Sequence, residues 1–236
     1  MGKKCRSCGE KFDCIATHWS LGSCTGPELS SYQKELVEGM LLGDGWLVDN
    51  EKNPQLRVAM TNKTFIEWLV EELGYIQTGN ISVDDEEVKI NGGGHRLKKI
   101  YVIQTHTLES LRKYKNWLDD IWTQGGQSLQ ITPLKLKLWY VSHGTINRQE
   151  SGCNAVIYDG GVAGEGQLEK VFDSIGIKFN RDTISTRSVS SDRLRFTRPE
   201  SQKLWDYMGD PLPGFEYKWP EGPEYSEVID KHTEKV

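Results

Sequence analysis

Apolar positions recur at helical spacing over residues 29–42, where Leu29, Tyr32, Leu36, Val37, Met40 and Leu41 share one side. Glu28 or Ser30 stands where such a helix starts, and Gly43-Asp44-Gly45 stops it. Trp46-Leu47-Val48 then reads as a strand. Residues 55–61 alternate polar and apolar, with Ala59 the small exception, which predicts a half-buried strand. A second helix spans 64–73, with Phe65, Trp68, Leu69 and Leu73 inward and Gly74 closing it. Strands follow at 79–90 and 98–105 around Asn91-Gly92-Gly93-Gly94, and Thr107 caps a helix over 108–118.

The same order then repeats. Thr132-Pro133 opens a helix that runs through Leu134, Leu138 and Trp139 to Gly144, with proline in the first turn where no amide partner is needed. Strands are expected at 145–148 and 153–158, a helix at 166–175 closed by Gly176, strands at 177–187 and 193–198, and a helix at 200–208. Each half therefore reads helix-strand-strand-helix-strand-strand-helix. The expected organisation is a Cys-rich motif at 1–26, a first repeat at 27–125, a second at 126–220 and a polar tail at 221–236. This predicts an α+β fold of two pseudo-symmetric αββαββα repeats.

Composition narrows the function classes. The chain has 236 residues, 36% of them apolar, and its eight Trp, nine Tyr and six Phe supply bulk for a core. No apolar run approaches the roughly 18 residues of a membrane span, and the start, MGKKCRSC, lacks the apolar segment of a secretory signal. An intracellular protein, cytoplasmic or nucleoid-associated and without a membrane partner, is expected. Net charge is −5, unevenly spread: residues 88–205 carry +7, whereas 28–87 carry −9. A basic middle is compatible with a polyanion partner and equally with a solvated charged surface.

Four of the five Cys fall within the first 24 residues. Without a secretory signal, clustered Cys point to metal before disulfides. Cys5 and Cys8 form a CxxC pair, followed by His18 and Cys24. Those four would make a closed tetrahedral Zn²⁺ site of the structural kind, with Cys14 as a spare that could replace one of them. Phe12 sits at a spacing similar to the core Phe of Cys/His zinc fingers. A segment this short has no core of its own, so the metal would supply its folding energy. Lys3, Lys4, Arg6 and Lys11 would let it touch phosphates.

The two opening helices end alike. The first ends Glu38-Gly39-Met40-Leu41-Leu42-Gly43-Asp44-Gly45 and runs on into Trp46-Leu47; the second ends Leu138-Trp139-Tyr140-Val141-Ser142-His143-Gly144-Thr145. Gly39 and Gly43 lie on one helix face and would permit close backbone approach. Asp44, on a Gly-flanked turn, is an oxygen ligand suited to Mg²⁺. The first string resembles the signature of the LAGLIDADG homing endonucleases, and the second, introduced by Ile131-Thr132-Pro133, is similar to the second copy in single-chain members. The resemblance spans about residues 30–219, with the copies in register. It implies a curved antiparallel β-saddle over double-stranded DNA, a monomer, and Mg²⁺ or Mn²⁺ at the interface of the repeats.

The resemblance makes Asp44 a metal ligand and places His143 at the matching position, where the family pattern has a carboxylate. Imidazole suits transition metals better than Mg²⁺ and brings no negative charge. The site could then cleave with His143 as a poorer ligand or general base, nick one strand, or bind without cutting; a helix-end His bonded to the last carbonyls is the plain alternative. Phe215-Glu216-Tyr217-Lys218-Trp219 resembles the family's terminal segment, and the resemblance makes Lys218 the basic catalytic residue near the metals. The matching stretch of the first half has no Lys, and Gln127 takes the position. The expected DNA readers are Gln55, Arg57 and Thr61, opposed by Leu56, Val58 and Met60, and Arg193 and Arg195, opposed by Leu194 and Phe196, with Gln104, Arg148, Asn180, Arg181 and Arg187 added. A site-specific endonuclease is the leading expectation; a non-cutting DNA-binding protein of the same fold and a maturase acting on intron RNA are the competitors.

Overall fold

The computed structural model describes residues 3–5, 7–20, 24, 26–49, 53–90, 94–123, 129–158, 166–185 and 190–225. The chain divides into two compact units, Met1–Leu118 and Asp119–Val236. The first opens with a small antiparallel hairpin, β1 (Lys3–Lys4) and β2 (Lys11–Phe12), and a short helix, α1 (Ile15–Ser20). There follow α2 (Ser31–Leu42), β3 (Gly45–Val48), β4 (Gln55–Met60), α3 (Lys63–Leu73), β5 (Ser82–Ile90) and β6 (Gly94–Gln104). The boundary between units falls within α4 (Trp117–Thr123). The second unit continues with α5 (Pro133–His143), β7 (Gly144–Gln149), β8 (Gly152–Tyr158), α6 (Gln167–Asp173), β9 (Asn180–Ser185), β10 (Ser190–Arg195) and α7 (Arg198–Met208). Both units thus carry the αββαββα order, and this is the two-repeat α+β fold that the sequence pattern predicts.

Local chemistry explains where the elements start. Ser30, not Glu28, caps α2: its hydroxyl accepts from the Gln33 amide while the Gln33 side chain accepts from the Ser30 amide. The Asn62 side chain caps α3 by accepting from the Phe65 amide, and Thr132 with Pro133 starts α5. The expected helix over 108–118 is instead a 3-10 turn, Glu109–Tyr114, ahead of α4, and Thr107 does not cap it. Leu108, Leu111 and Tyr114 are all buried at spacing three. That spacing lies on one side of a 3-10 helix but drifts around an α-helix.

Each unit holds one four-stranded antiparallel sheet, ordered β3-β4-β6-β5 in the first and β7-β8-β10-β9 in the second. In both, the first two strands pair as a hairpin and the fourth lies inside the third. One face of each sheet is covered. In the first unit Leu56 and Val58 of β4 are buried, as are Phe65, Ile66 and Leu69 of α3. In the second unit Phe172 meets Phe179, Phe196 and Trp139, with ring centres 5.2, 5.4 and 6.1 Å apart. These aromatic edges add to the area they remove from water. The opposite sheet faces carry most of the candidate readers that lie among the described residues. No helix among the described residues is long and apolar enough to cross a membrane.

Candidate functional site

The N-terminal motif gathers four ligand atoms. Cys5 and Cys8 occupy the turn between β1 and β2, which closes with the Gly9 amide on the Cys5 carbonyl and needs Gly9 at φ +78°. α1 brings in His18, and Cys24 completes the group, all ligand atoms lying within 4.8 Å of one another. Cys5 Sγ and Cys24 Sγ are 3.8 Å apart. A tetrahedral zinc with Zn–S bonds of about 2.3 Å has S···S edges of roughly that length. His18 Nε2 stands 3.3 Å from Cys8 Sγ. The donor set and its spacing therefore fit Zn²⁺. Cys14 is exposed and outside the group.

The surroundings hold these ligands in place. The Trp19 indole donates to Cys5 Sγ at 3.2 Å, and the Gly26 amide donates to Cys24 Sγ at 3.3 Å. Such outer contacts fix ligand orientation. Phe12 stacks on the His18 ring with centres 3.5 Å apart, as the finger-like spacing suggested. Burial raises the Cys5 thiol, but the Cys8 amide, the Trp19 indole and the Ser7 amide outweigh it and bring the thiol down to about 6. Burial pushes Cys24 the other way. Trp19 is itself buried, edge-on to His106 at 5.2 Å, so the motif is seated on the body of its unit.

The helix ends differ between the halves. α2 stops at Leu42, Gly43 caps it, and half-buried Asp44 stands in the turn directly before β3. In α5 the matching residue, His143, is the last helical residue and β7 begins at once. Gly45 and Gly144 open the two strands, with the same offset in sequence as Asp44 and His143. A methyl group on Gly144 would run into the ring and carbonyl of Tyr140, and one on Gly45 would lie 2.8 Å from the Met40 carbonyl oxygen. The tight joint from helix to outer-face strand thus requires glycine in both copies. Gly39 and Gly43, in contrast, are matched by Leu138 and Ser142.

Lys218 lies under the end of α5. Its buried ammonium donates to the carbonyls of Val141, at 2.6 Å, and Gly144, at 2.7 Å, the residues that bracket His143. A cation is favourable at this negative end of a helix. Tyr140 returns a hydroxyl bond to the Lys218 carbonyl at 3.0 Å. His143, with Ser142, Gly144 and Tyr158, lines an open hollow of about 410 Å³. Gln127, the expected counterpart of Lys218, lies outside the described residues.

On the first sheet Trp46, Arg57 and Gln104 form one row across β3, β4 and β6. The Arg57 guanidinium lies 5.8 Å from the Trp46 ring centre, and Gln55 donates to Gln104 at 3.4 Å. The alternation expected for β4 holds, with Leu56, Val58 and Met60 buried and Gln55 and Arg57 half-exposed. Thr61 is exposed just beyond the strand. Trp46, 42% exposed, was not anticipated as part of this face; its place between Gly45 and Leu47 at period two was the signal. The acidic Asp85 and Glu86 of edge strand β5 stand opposite Lys99 and Lys98.

The second sheet exposes Thr145, Asn147 and Gln149 on β7, residues that the sequence reading passed over. Arg193 and Arg195 share that face with Asn180 and Asp182, their register partners. Asp182 Oδ2 accepts from Arg193 Nη2 at 3.0 Å and Nε at 3.3 Å, and from Arg195 Nη1 at 3.1 Å. The bonds from Arg195 and then Arg193 hold the Asp182 carboxyl below the usual carboxylate range. Two expected readers point elsewhere. Arg181 pairs with fully buried Leu194 and so lies on the opposite face from Asn180. Arg148 pairs with Cys153, and its guanidinium donates to the carbonyls of Tyr217, Trp219, Pro220 and Gly222. Arg187 lies outside the described residues.

A family model described as the LAGLIDADG DNA endonuclease family matches residues 34–204. No curated protein sequence matches the chain. Among solved structures, it resembles the homing endonuclease I-WcaI bound to its DNA recognition sequence, at 15% identity over 89% of this chain and 95% of that one, with a TM-score of 0.63. That likeness shows a shared fold. Looser matches are full-length DUF199/WhiA from Thermatoga maritima (11% identity, 88% of this chain, 64% of that one, TM-score 0.48) and I-DmoI in complex with DNA and Mn (15%, 77%, 99%, TM-score 0.44).

Proposed function

The chain belongs to the LAGLIDADG DNA endonuclease family, and we propose that it is a site-specific DNA endonuclease that holds duplex DNA on the polar faces of its two sheets. The observation that carries this reading is Asp44: a carboxylate set just beyond a capped helix, at the joint into the strand whose outer face bears Trp46. Asp44 fits a divalent ion such as Mg²⁺ or Mn²⁺ as an oxygen ligand. His143, at the same joint of the second unit, supplies a nitrogen ligand or accepts a proton from water. The bound ion would activate water and stabilise the leaving oxygen of the phosphodiester. Lys218 acts as a positioning residue that pins the helix end carrying His143, because its ammonium is already bonded to two carbonyls.

The faces supported as readers are Gln55, Arg57, Gln104 and Trp46 on the first sheet, with Thr61 at its margin. On the second they are Asn180, Arg193 and Arg195 with Thr145, Asn147 and Gln149. Arg148 and Arg181 are left out of this interface because of the faces they occupy. Cys5, Cys8, His18 and Cys24 hold one structural Zn²⁺.

A second reading, duplex binding with nicking or without cutting, is favoured by one observation: His143 brings no carboxylate to the second joint. A plasmid library of randomised targets separates the two. With Mg²⁺ or Mn²⁺ the protein should give site-specific cuts, Asp44→Asn should abolish them, and His143→Asp should increase double-strand cleavage. Tight, site-specific binding with no cut in either metal overturns the endonuclease reading.

A further inference from the structure

Two arginines side by side on an open sheet face are, by default, mobile phosphate contacts, which fix position without reading sequence. Arg193 and Arg195 are not in that condition. One carboxylate oxygen of Asp182 takes three N–H bonds from them, at 3.0, 3.1 and 3.3 Å. The trio carries a net charge of +1 where the arginines alone would carry +2. Arg193 commits its Nε and Nη2 edge to Asp182, so the far edge of its guanidinium is turned away from the carboxylate. An arginine has five N–H donors in a rigid fork, so two parallel donors remain for an outside acceptor pair. Guanine offers such a pair, O6 and N7, in the major groove.

The hollow beside them is polar. Asn154, Asn180, Asp182, Arg195 and Thr197 line about 360 Å³ with Phe196 at its edge, and the buried Asn154 Oδ1 has no hydrogen-bond partner. An unpartnered acceptor beside fixed donors suits a G·C base-pair edge, where guanine accepts and the cytosine N4 donates, better than a phosphate, which only accepts.

We propose that Asp182 is a specificity-determining residue of the second sheet: by gripping Arg193 and Arg195 it converts them from phosphate contacts into readers of two guanines. Residues two apart on a strand are separated by roughly 6.7 Å, about two base-pair steps. The two guanines therefore lie about two base pairs apart in the target. This rests on the duplex-binding reading given above.

The test selects duplexes from a randomised double-stranded DNA library and measures binding against salt, for the wild type, Asp182→Asn and Arg193→Lys. The wild type should enrich guanine at two positions with that spacing. Asp182→Asn should weaken both preferences about tenfold while steepening the salt dependence by about one released ion. Arg193→Lys, which keeps the charge and loses the fork, should flatten one of the two positions. An unchanged base profile and salt slope in Asp182→Asn, or unchanged selection by Arg193→Lys, overturns the assignment while leaving duplex binding standing. Failure of the wild type to bind any duplex removes the broader reading and this assignment together.

Discussion

The ammonium of Lys218 is 2.7 Å from the carbonyl oxygen of Gly144, the residue at which α5 becomes β7. A second bond, to Val141, makes the lysine a cap for the last turn of the helix. Replacing it with Met would keep the stem and remove both bonds, leaving two carbonyls at a buried helix end without their donor. The expected cost is about 2 kcal/mol, a fall of roughly 4–8 °C in the unfolding midpoint for a chain of this size. Calorimetry checks it, and an unchanged midpoint would show that the cap is dispensable.

Removal of metal from the Cys/His group should be read at Trp19, whose indole donates to Cys5. A strong chelator should release one Zn²⁺ per chain and shift tryptophan emission to longer wavelength as Trp19 loses its partner and its seat on His106. Cys24→Ser should lower the zinc content, whereas Cys14→Ser should not. Zinc content unaffected by Cys24→Ser would refute the ligand set.

Gly144→Ala places a methyl group against the ring and carbonyl of Tyr140. Overpacking of this kind costs about 1–3 kcal/mol. Denaturant midpoints measure it, and the Tyr140→Leu background should recover part of the loss, since the ring is the nearer obstacle.

Alkaline titration should distinguish the tyrosines. Burial pushes Tyr114, Tyr140 and Tyr217 upward, and burial with the nearby Glu72 carries Tyr32 up to about 12. The folded state then holds these protons more tightly than the unfolded chain. The associated stability is full below the ordinary tyrosine value of about 10 and is lost as pH rises through the folded values. Ultraviolet difference spectra should show Tyr114, Tyr140 and Tyr217 ionising late, together with unfolding, whereas Tyr32, 43% exposed, ionises reversibly near 12 without it; early, reversible ionisation of the other three would contradict their burial.

Much of the architecture was legible because caps and periodicity agreed. Thr132 with Pro133 marked one helix start, Ser30 was one of two candidates for the other, and period-two alternation marked β4. What failed did so for physical reasons. The 108–118 stretch carries apolar residues at spacing three, a pattern that helical periodicity counts as its own. Arg148 and Arg181 were judged by residue type, although each is adjacent in sequence to an outward residue, Asn147 or Asn180, and adjacent strand positions face opposite sides. No local pattern could announce that Arg148 would meet four carbonyls some seventy residues away. Asp182 went unnoticed because its importance lies in cross-strand register, which pairs it with Arg193.

The seating of Trp19 has a consequence for reach. A small Cys/His motif on a loose tether could sweep along a groove and sample several registers. This one is bolted through its own indole to the unit that carries Arg57. Any contact that Lys4 or Lys11 makes with a nucleic acid therefore falls at a set offset from β4, so that the motif works as a ruler whose length cannot be adjusted by the partner.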